Sequence, residues 1–405
     1  MLILPNFGKG GAERSIAKLS FIFAEDFDVH FVVFNKQTLP TYPSTGTIHS
    51  LDVTAGSNVF DKAWKFVQRV IRLRRLKRTL GVDISISFLE GADYVNVLSD
   101  VNDKIVLSIR GSKFGDREIS GFLGFLRKSV FMKILYPKAD LIVAVSEGIR
   151  NELITLMGLD GDRIVVISNP YDIEGIVKAS QAPIDPNVEP IFSRPVIATS
   201  GRLHPQKNHE GLLHAVKVLK DQGLVFRLLI LGSGNLKSKL VRLAQELELN
   251  VAESDHAIAY KTDVVFLEHQ SNPFPLIRRS KLFVLSSSWE GFPNALAEAM
   301  CLSVPVISCD CPYGPREIFG AGYFNGPILE AIWTTNGVLV PMLDSSHAYN
   351  TCAEAAKALL TNRELSQSLG TAAAARMADF NETSISSKWI EVVRVQLHPS
   401  LTKRL

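Results

Sequence analysis

The sequence is poor in the features that would place it in several large classes. Only four cysteines occur in 405 residues (Cys301, Cys309, Cys311 and Cys352), none in a C-x-x-C pair and all in apolar surroundings. That argues against a disulfide framework and for reduced core thiols in a cytoplasmic chain. No apolar run is long enough to span a bilayer, and "MLILPNFGKGG" lacks a positively charged leader, so neither an anchor nor a signal peptide is expected. Net charge is only +3, too small for a dedicated nucleic-acid binder. Acidic residues are missing altogether from one segment: residues 62–78, "KAWKFVQRVIRLRRLKR", hold eight basic side chains. Trp64, Phe66, Val70, Ile71, Leu73 and Leu76 interleave with them at roughly helical spacing. This is the pattern of a helix on an anionic membrane surface or, more plainly, of the solvated face of a surface helix.

What is present is globular. Hydrophobic residues make up 46% and charged residues 21%, with 19 prolines and 27 glycines scattered at the ends of apolar runs. Short β-branched runs alternate with helical segments, as parallel sheets built from βαβ units require. One set of strands is expected at 2–4, 29–34, 84–88, 105–109, 141–145 and 164–167; a second at 196–199, 226–231, 264–267, 282–285, 305–308 and 338–340. Between the sets, residues 170–195 contain five prolines and little periodicity. The expected organisation is an N-terminal domain at 1–170, a linker at 171–195, a second domain at 196–380, and a C-terminal helix within 381–405 that packs back on the first domain. Two doubly wound α/β domains facing a central cleft would then bind ligands beyond the carboxyl ends of their strands.

Several motifs fall at such strand ends. After the first strand, Gly8, Gly10 and Gly11 allow a tight turn and close backbone approach to a ligand. A second glycine turn carries Gly232 and Gly234. Both break the G-x-G-x-x-G dinucleotide fingerprint where its last glycine should stand, so they fit a nicotinamide cofactor poorly. The loop "GRLHPQKN" at 201–208 places Arg202 and Lys207 beyond a strand. Together they could neutralise a diphosphate without a metal, although surface cations in a loop would look the same. In "SSSWEGFPNALAEAM", Glu290 lies just outside a helix and Glu298 about two turns into it, with Pro293 expected at the first helical position. The first amides, on Asn294, Ala295 and Leu296, have no partner within the helix and form an anion site. Asp26-Phe27-Asp28 and Asp160-Gly161-Asp162 precede strands rather than follow them, which suits turns better than metal.

The run E-G-F-P-N-A-L-A-E at 290–298 resembles the E-x7-E signature of the retaining family four glycosyltransferases, which have the two-domain GT-B fold. "GGAER" at 10–14, "VAVSEGIRNEL" at 143–153, "SNP" at 168–170, "GRLHPQKN", "HQSNPFPLIRRSKLFVLSS" at 269–287, "CPYGPREI" at 311–318 and "NGVLV" at 336–340 extend the resemblance over nearly the whole chain. The resemblance implies that Arg202 and Lys207 hold the diphosphate of a nucleotide diphosphate sugar, usually UDP-linked. Glu290 would contact the transferred hexose or N-acetylhexosamine, and Glu298 the ribose. Gly201, Gly232, Gly291, Phe292, Pro293 and the amides of residues 294–296 would line the donor, with Asn272 and Pro273 flanking the base and Gly10 and Gly11 closing the site. Arg110 stands where many members have a histidine and would act electrostatically on the acceptor side.

The resemblance implies front-face, retaining transfer with no cofactor, and because both D-x-D pairs precede strands, activity without a divalent metal is expected. The acceptor it implies is a glycan or a polyprenyl-diphosphate-linked glycan of surface polysaccharide, and the basic and apolar residues of 62–78 and 121–138 lead to an expectation of peripheral binding to the inner face of the membrane. A nucleotide-sugar 2-epimerase of the same architecture, or a non-catalytic sugar-nucleotide or membrane-binding protein, are the alternatives.

Overall fold

The computed structural model describes residues 1–8, 11–35, 42–113, 131–254, 258–322 and 326–398. The chain forms two compact units, Met1–Pro170 together with Thr383–Leu405, and Tyr171–Glu382.

In the first unit, β1 (Leu2–Leu4), β2 (His30–Val33), β3 (Thr47–Ser50), β4 (Ile84–Phe88), β5 (Lys104–Ile109), β6 (Leu141–Ala144) and β7 (Ile164–Val166) form a parallel sheet in the order 3-2-1-4-5-6-7. β1 (LIL), β6 (LIVA) and β7 (IVV) read as unbroken apolar runs, as strands covered by helices on both faces do. One face packs Leu2, Leu4, Phe31, Val33 and Phe88 against Ile16, Leu19 and Phe23 of the helix Gly11–Ala24. The C-terminal helix Glu382–Leu397 closes the same core with Ile385, Trp389 and Val393, spaced at four residues so that they share one stripe. Trp389 is fully buried, its ring 6.3 Å from both Phe23 and Phe88. The other face receives Leu73 and the partly buried Phe66, Val70 and Leu76 of the long helix Val59–Leu80.

The second unit holds β8 (Val196–Ser200), β9 (Arg227–Leu231), β10 (Val251–Ala252), β11 (Val264–Leu267), β12 (Leu282–Leu285), β13 (Val306–Cys309), β14 (Ile332–Trp333) and β15 (Val338–Val340) in the order 10-11-9-8-12-13-15-14. Only β14 runs antiparallel. Leu212, Leu213, Val216 and Leu219 of the helix His209–Asp221 pack with Ala348, Cys352, Ala355 and Leu359 of the helix Ser346–Thr361 over this sheet.

The stretch 171–195, expected as a linker, is instead built into the second unit. It contains the helix Ile173–Ala179 and a 3-10 turn at Glu189–Ser193, with Ile176 and Ile191 buried. Fully buried Arg227 fastens it: Nη1 donates to Ile191 O at 2.9 Å and Nε to Thr262 O at 3.1 Å, knitting this proline-containing stretch and the loop before β11 to the start of β9. Three strands escape sequence reasoning. β3 is a polar edge (TIHS), and β10 and β14 are two residues long, too short to show a period.

Candidate functional site

In the second sheet β8 pairs with β9 on one side and β12 on the other, so the winding direction reverses between β8 and β12. A crevice opens beyond the carboxyl ends of strands at such a reversal. The register Leu282↔Ile197 and Phe283↔Ala198 brings the loops after β8 and β12 together, although 80-odd residues separate them. Those loops carry "GRLHPQKN" and "SSSWEGFPN".

Their side chains meet. Lys207 Nζ lies 2.5 Å from Glu290 Oε1, and Ser287 Oγ donates to the same oxygen at 2.7 Å. Both donors converge on Oε1, and among the described residues none reaches Oε2. The backbones are laced as well: Ser286 Oγ donates to Lys207 O (2.7 Å), Ser288 N to Gln206 O (2.7 Å) and Gln206 Nε2 to Trp289 O (2.8 Å). Glu290 is buried and Lys207 half-buried, so the pair is held with little solvent screening. Cys311 sits against it, and burial together with the Glu290 carboxylate pushes its thiol well above the usual range. His209, behind Lys207, is held neutral with its pKa lowered to about 4 by burial and by the neighbouring ammonium.

A third loop, following β13, buttresses the glutamate. Glu290 N donates to Pro312 O at 2.7 Å and Tyr313 N returns a bond to Glu290 O at 3.1 Å. Gly314, at φ +100°, lets this loop close down: a Cβ there would stand 2.7 Å from Pro293 Cδ and 3.0 Å from Gly291 O. Asp310 and Arg316 pin its ends through two bonds of 2.5 Å.

Pro293 precedes the helix Asn294–Cys301 in an extended conformation (φ −74°, ψ 99°), one residue earlier than the expected first helical position. The amides of Asn294, Ala295 and Leu296 remain without helical partners, as any helix start dictates. Asn294 Oδ1 accepts from Tyr171 Oη at 2.7 Å. Phe292, expected to line a donor, is a packing residue: its ring lies 6.4 Å from Tyr171 and 5.2 Å from Phe380, which leaves only its backbone for a ligand. Glu298 is buried on the same helix.

The remaining expected residues are distributed unevenly. Gly232 adopts φ +151°, and a Cβ on it would lie 2.0 Å from Gly201 O; one on Gly234 would lie 2.4 Å from Leu203 O. These glycines therefore admit the neighbouring loop's backbone. Gly201 lies under the aliphatic stem of Lys207, 3.1 Å from a built Cβ. Asn272 Nδ2 donates to Ala179 O (2.8 Å) and its Oδ1 accepts from Phe274 N (3.3 Å), so Asn272 and Pro273 form the start of the helix Phe274–Arg279. Arg202 is exposed on the loop after β8 and has no hydrogen bond or ion pair among the described residues.

In the first unit Gly11 opens a helix, while Gly10 lies outside the described residues. Arg110 ties the sheet together, donating to Ser15 Oγ (2.7 Å), Asn169 Oδ1 (2.6 Å) and Ile167 O (3.4 Å). Asp160 caps the turn Gly161–Arg163 and Asp26 pairs with Arg394.

Matches to known families divide along the same two units. The model described as "Glycosyltransferase Family 4" matches residues 9–174, and that described as "Glycosyl transferases group 1" matches residues 184–376. The chain is a family four glycosyltransferase. This transferase is 28% identical over 80% of its length to 84% of a Campylobacter jejuni protein, the N-acetylgalactosamine-N,N'-diacetylbacillosaminyl-diphospho-undecaprenol 4-alpha-N-acetylgalactosaminyltransferase. It is 27% identical, over 47% of the chain and 48% of the relative, to the lipopolysaccharide 1,6-galactosyltransferase of Salmonella typhimurium. Among solved structures, a glycosyltransferase from Rickettsia africae aligns with TM-score 0.72 at 14% identity over 98% of both chains. The Anabaena HepE protein in complex with UDP and glucose aligns with TM-score 0.70 at 14% identity, over 97% of this chain and 98% of that one. These likenesses establish the GT-B type of fold for the transferase.

Proposed function

We propose that the transferase moves a hexose or N-acetylhexosamine, with retention and without a divalent metal, from a UDP-linked donor to a polyprenyl-diphosphate-linked glycan in bacterial surface-glycan synthesis. The observation that carries this reading is the Lys207–Ser287–Glu290 arrangement at the reversal point of the second sheet, 2.5 and 2.7 Å from a single carboxylate oxygen. Such a carboxylate keeps Oε2 for a sugar hydroxyl while its other oxygen fixes an ammonium beside it. A donor diphosphate placed there would draw Lys207 Nζ toward its oxygens, joined by the exposed Arg202 and the amides of residues 294–296. As the glycosidic bond breaks, negative charge grows on the diphosphate, and fixed cations and amides stabilise it more than they stabilise the ground state. The choice of donor and acceptor leans on relatives: one is named for transfer to a diphospho-undecaprenol glycan, another is described in complex with UDP and glucose.

Radiolabelled UDP-hexoses and UDP-N-acetylhexosamines offered with polyprenyl-diphosphate glycan acceptors test the proposal. Label entering the lipid phase with an axial, donor-like anomeric configuration is expected. Transfer only from a non-uridine donor, inversion, or loss of turnover in EDTA restored by magnesium would each overturn the corresponding part.

A further inference from the structure

The basic segment does not behave as its composition suggests. Five of its eight cations are already engaged within the first unit. Lys65 bonds Thr54 Oγ1 and Ala55 O; Arg69 reaches Thr54 O and lies 4.7 Å over the Phe34 ring; Arg72 donates to Leu51 O; Arg74 to Leu98 O; and buried Lys77 pairs with Asp103 at 2.8 Å. These side chains strap the helix Val59–Leu80 to the loop 51–55, to the end of the helix Glu90–Leu98 and to Asp103. What the helix turns outward is apolar. Phe60 is 89% exposed, Trp64 60%, Val67 43% and Ile71 52%. At 100° per residue these four fall within about 60° of one another, about 150° from Leu73 and about 110° from Lys77, both fully buried. Exposed Arg75 and Arg78 continue the same line for the last turns. The one acidic residue of the helix, Asp61, is held at its start by Ser57 N and caps no part of this line.

We infer that this ridge seats the first unit on a lipid bilayer, with Phe60, Trp64, Val67 and Ile71 entering the acyl boundary and Arg75 and Arg78 resting on anionic headgroups. A large aromatic at 89% exposure beside a half-exposed tryptophan is unexplained by packing, and the ridge passes directly into two cations with no acid on the line. This arrangement complements the boundary between hydrocarbon and anionic headgroup. A protein groove would satisfy the apolar residues but not the uncompensated arginines that follow. The inference deepens the proposed lipid-linked acceptor by specifying how the enzyme meets the surface that holds it. It also alters the expectation for residues 62–78: anchoring rests on apolar insertion, with two cations rather than eight contributing. Of the other segment expected at the membrane, 121–138, residues 121–130 lie outside the described residues.

The test is flotation of the full-length enzyme with phosphatidylcholine vesicles and with vesicles containing phosphatidylglycerol, at low and high salt. We expect binding to both, stronger on the anionic vesicles and largely retained at high salt. The double substitution Phe60→Ser/Trp64→Ser should weaken partitioning at least ten-fold with the thermal midpoint and donor hydrolysis unchanged. Arg75→Gln should weaken it about five-fold and only on anionic vesicles, following roughly 1 kcal/mol per basic residue. Trp64 emission should shift to the blue and be quenched by brominated acyl chains, a signal absent from Trp64→Phe. Full binding by the double variant, complete release at high salt, or a dimer that depends on Phe60 and Trp64 while lipid binding is nil would each overturn the inference. Donor hydrolysis reports separately on the chemistry of the second unit.

Discussion

At the scale of single residues, the informative feature is that two donors share one oxygen of Glu290. Glu290→Gln keeps the shape but removes the charge that holds Lys207, and a loss of about 10²–10³ in kcat is expected, in line with removal of an electrostatic contact made at the reacting centre. Ser287→Ala leaves the ion pair but frees its rotation; turnover should fall about ten-fold, the worth of one hydrogen bond to a charged group, with donor KM little changed. Steady-state kinetics with saturating acceptor check both, and an unaltered Ser287→Ala enzyme would remove that residue from the site. Strand-end reasoning places Lys207 and Glu290 in loops beyond buried strands, but a plain surface cation reads the same there, and it is the resemblance of "GRLHPQKN" and the E-x7-E run to the family that gives the two residues their roles. Ser287 was not conspicuous. Serines crowd this loop, and only the turn geometry decides which hydroxyl reaches the carboxylate.

At the scale of elements, the site depends on glycines that let three loops touch. Gly232→Ala would drive a methyl to 2.0 Å from Gly201 O at φ +151°. The loop that carries Arg202 and Lys207 must then shift, and we expect at least about 3 kcal/mol of destabilisation together with loss of transfer. Gly223→Ala is the control: φ is also positive, at +79°, but nothing lies within 4 Å of the added methyl. It should cost only about 1 kcal/mol and leave activity intact. Denaturation midpoints of the two variants, measured with turnover, separate collision from backbone preference. Twelve of the fifteen described strands could be read from the sequence, since apolar runs of three to six residues bounded by turn residues leave few alternatives. The roles of Gly232 and Gly314 could not be read, because a close approach between loops distant in sequence leaves no local pattern.

At the scale of the whole molecule, each unit's core sets its own response. Asp93 is fully buried in the first unit, accepting from Ser87 Oγ at 2.7 Å and Tyr136 Oη at 3.3 Å, and burial raises its pKa to about 7, opposed by Lys113. The folded state therefore keeps a proton that the unfolded chain releases near pH 4. Stability of this unit should fall as pH rises from about 4 to about 7, with a slope approaching 1.4 kcal/mol per pH unit, and level off above. Asp93→Asn should flatten that dependence; denaturation curves at pH 5 and pH 8 decide. Trp389→Ala should cost the same unit about 3–5 kcal/mol by opening a cavity between Phe23 and Phe88, and calorimetry should show its transition moving away from that of the second unit. Two domains and a terminal helix were legible from composition and period. The place of 171–195 was not, because a helix of seven residues flanked by prolines carries too short a period to distinguish it from a tether.

The return of residues 383–397 to the first core also orders events during synthesis. The slot beside Phe23 and Phe88 stays unfilled while more than two hundred intervening residues emerge from the ribosome, so the half that is made first is finished last. Nascent chains arrested after residue 382 should carry a protease-sensitive first half beside a resistant second one.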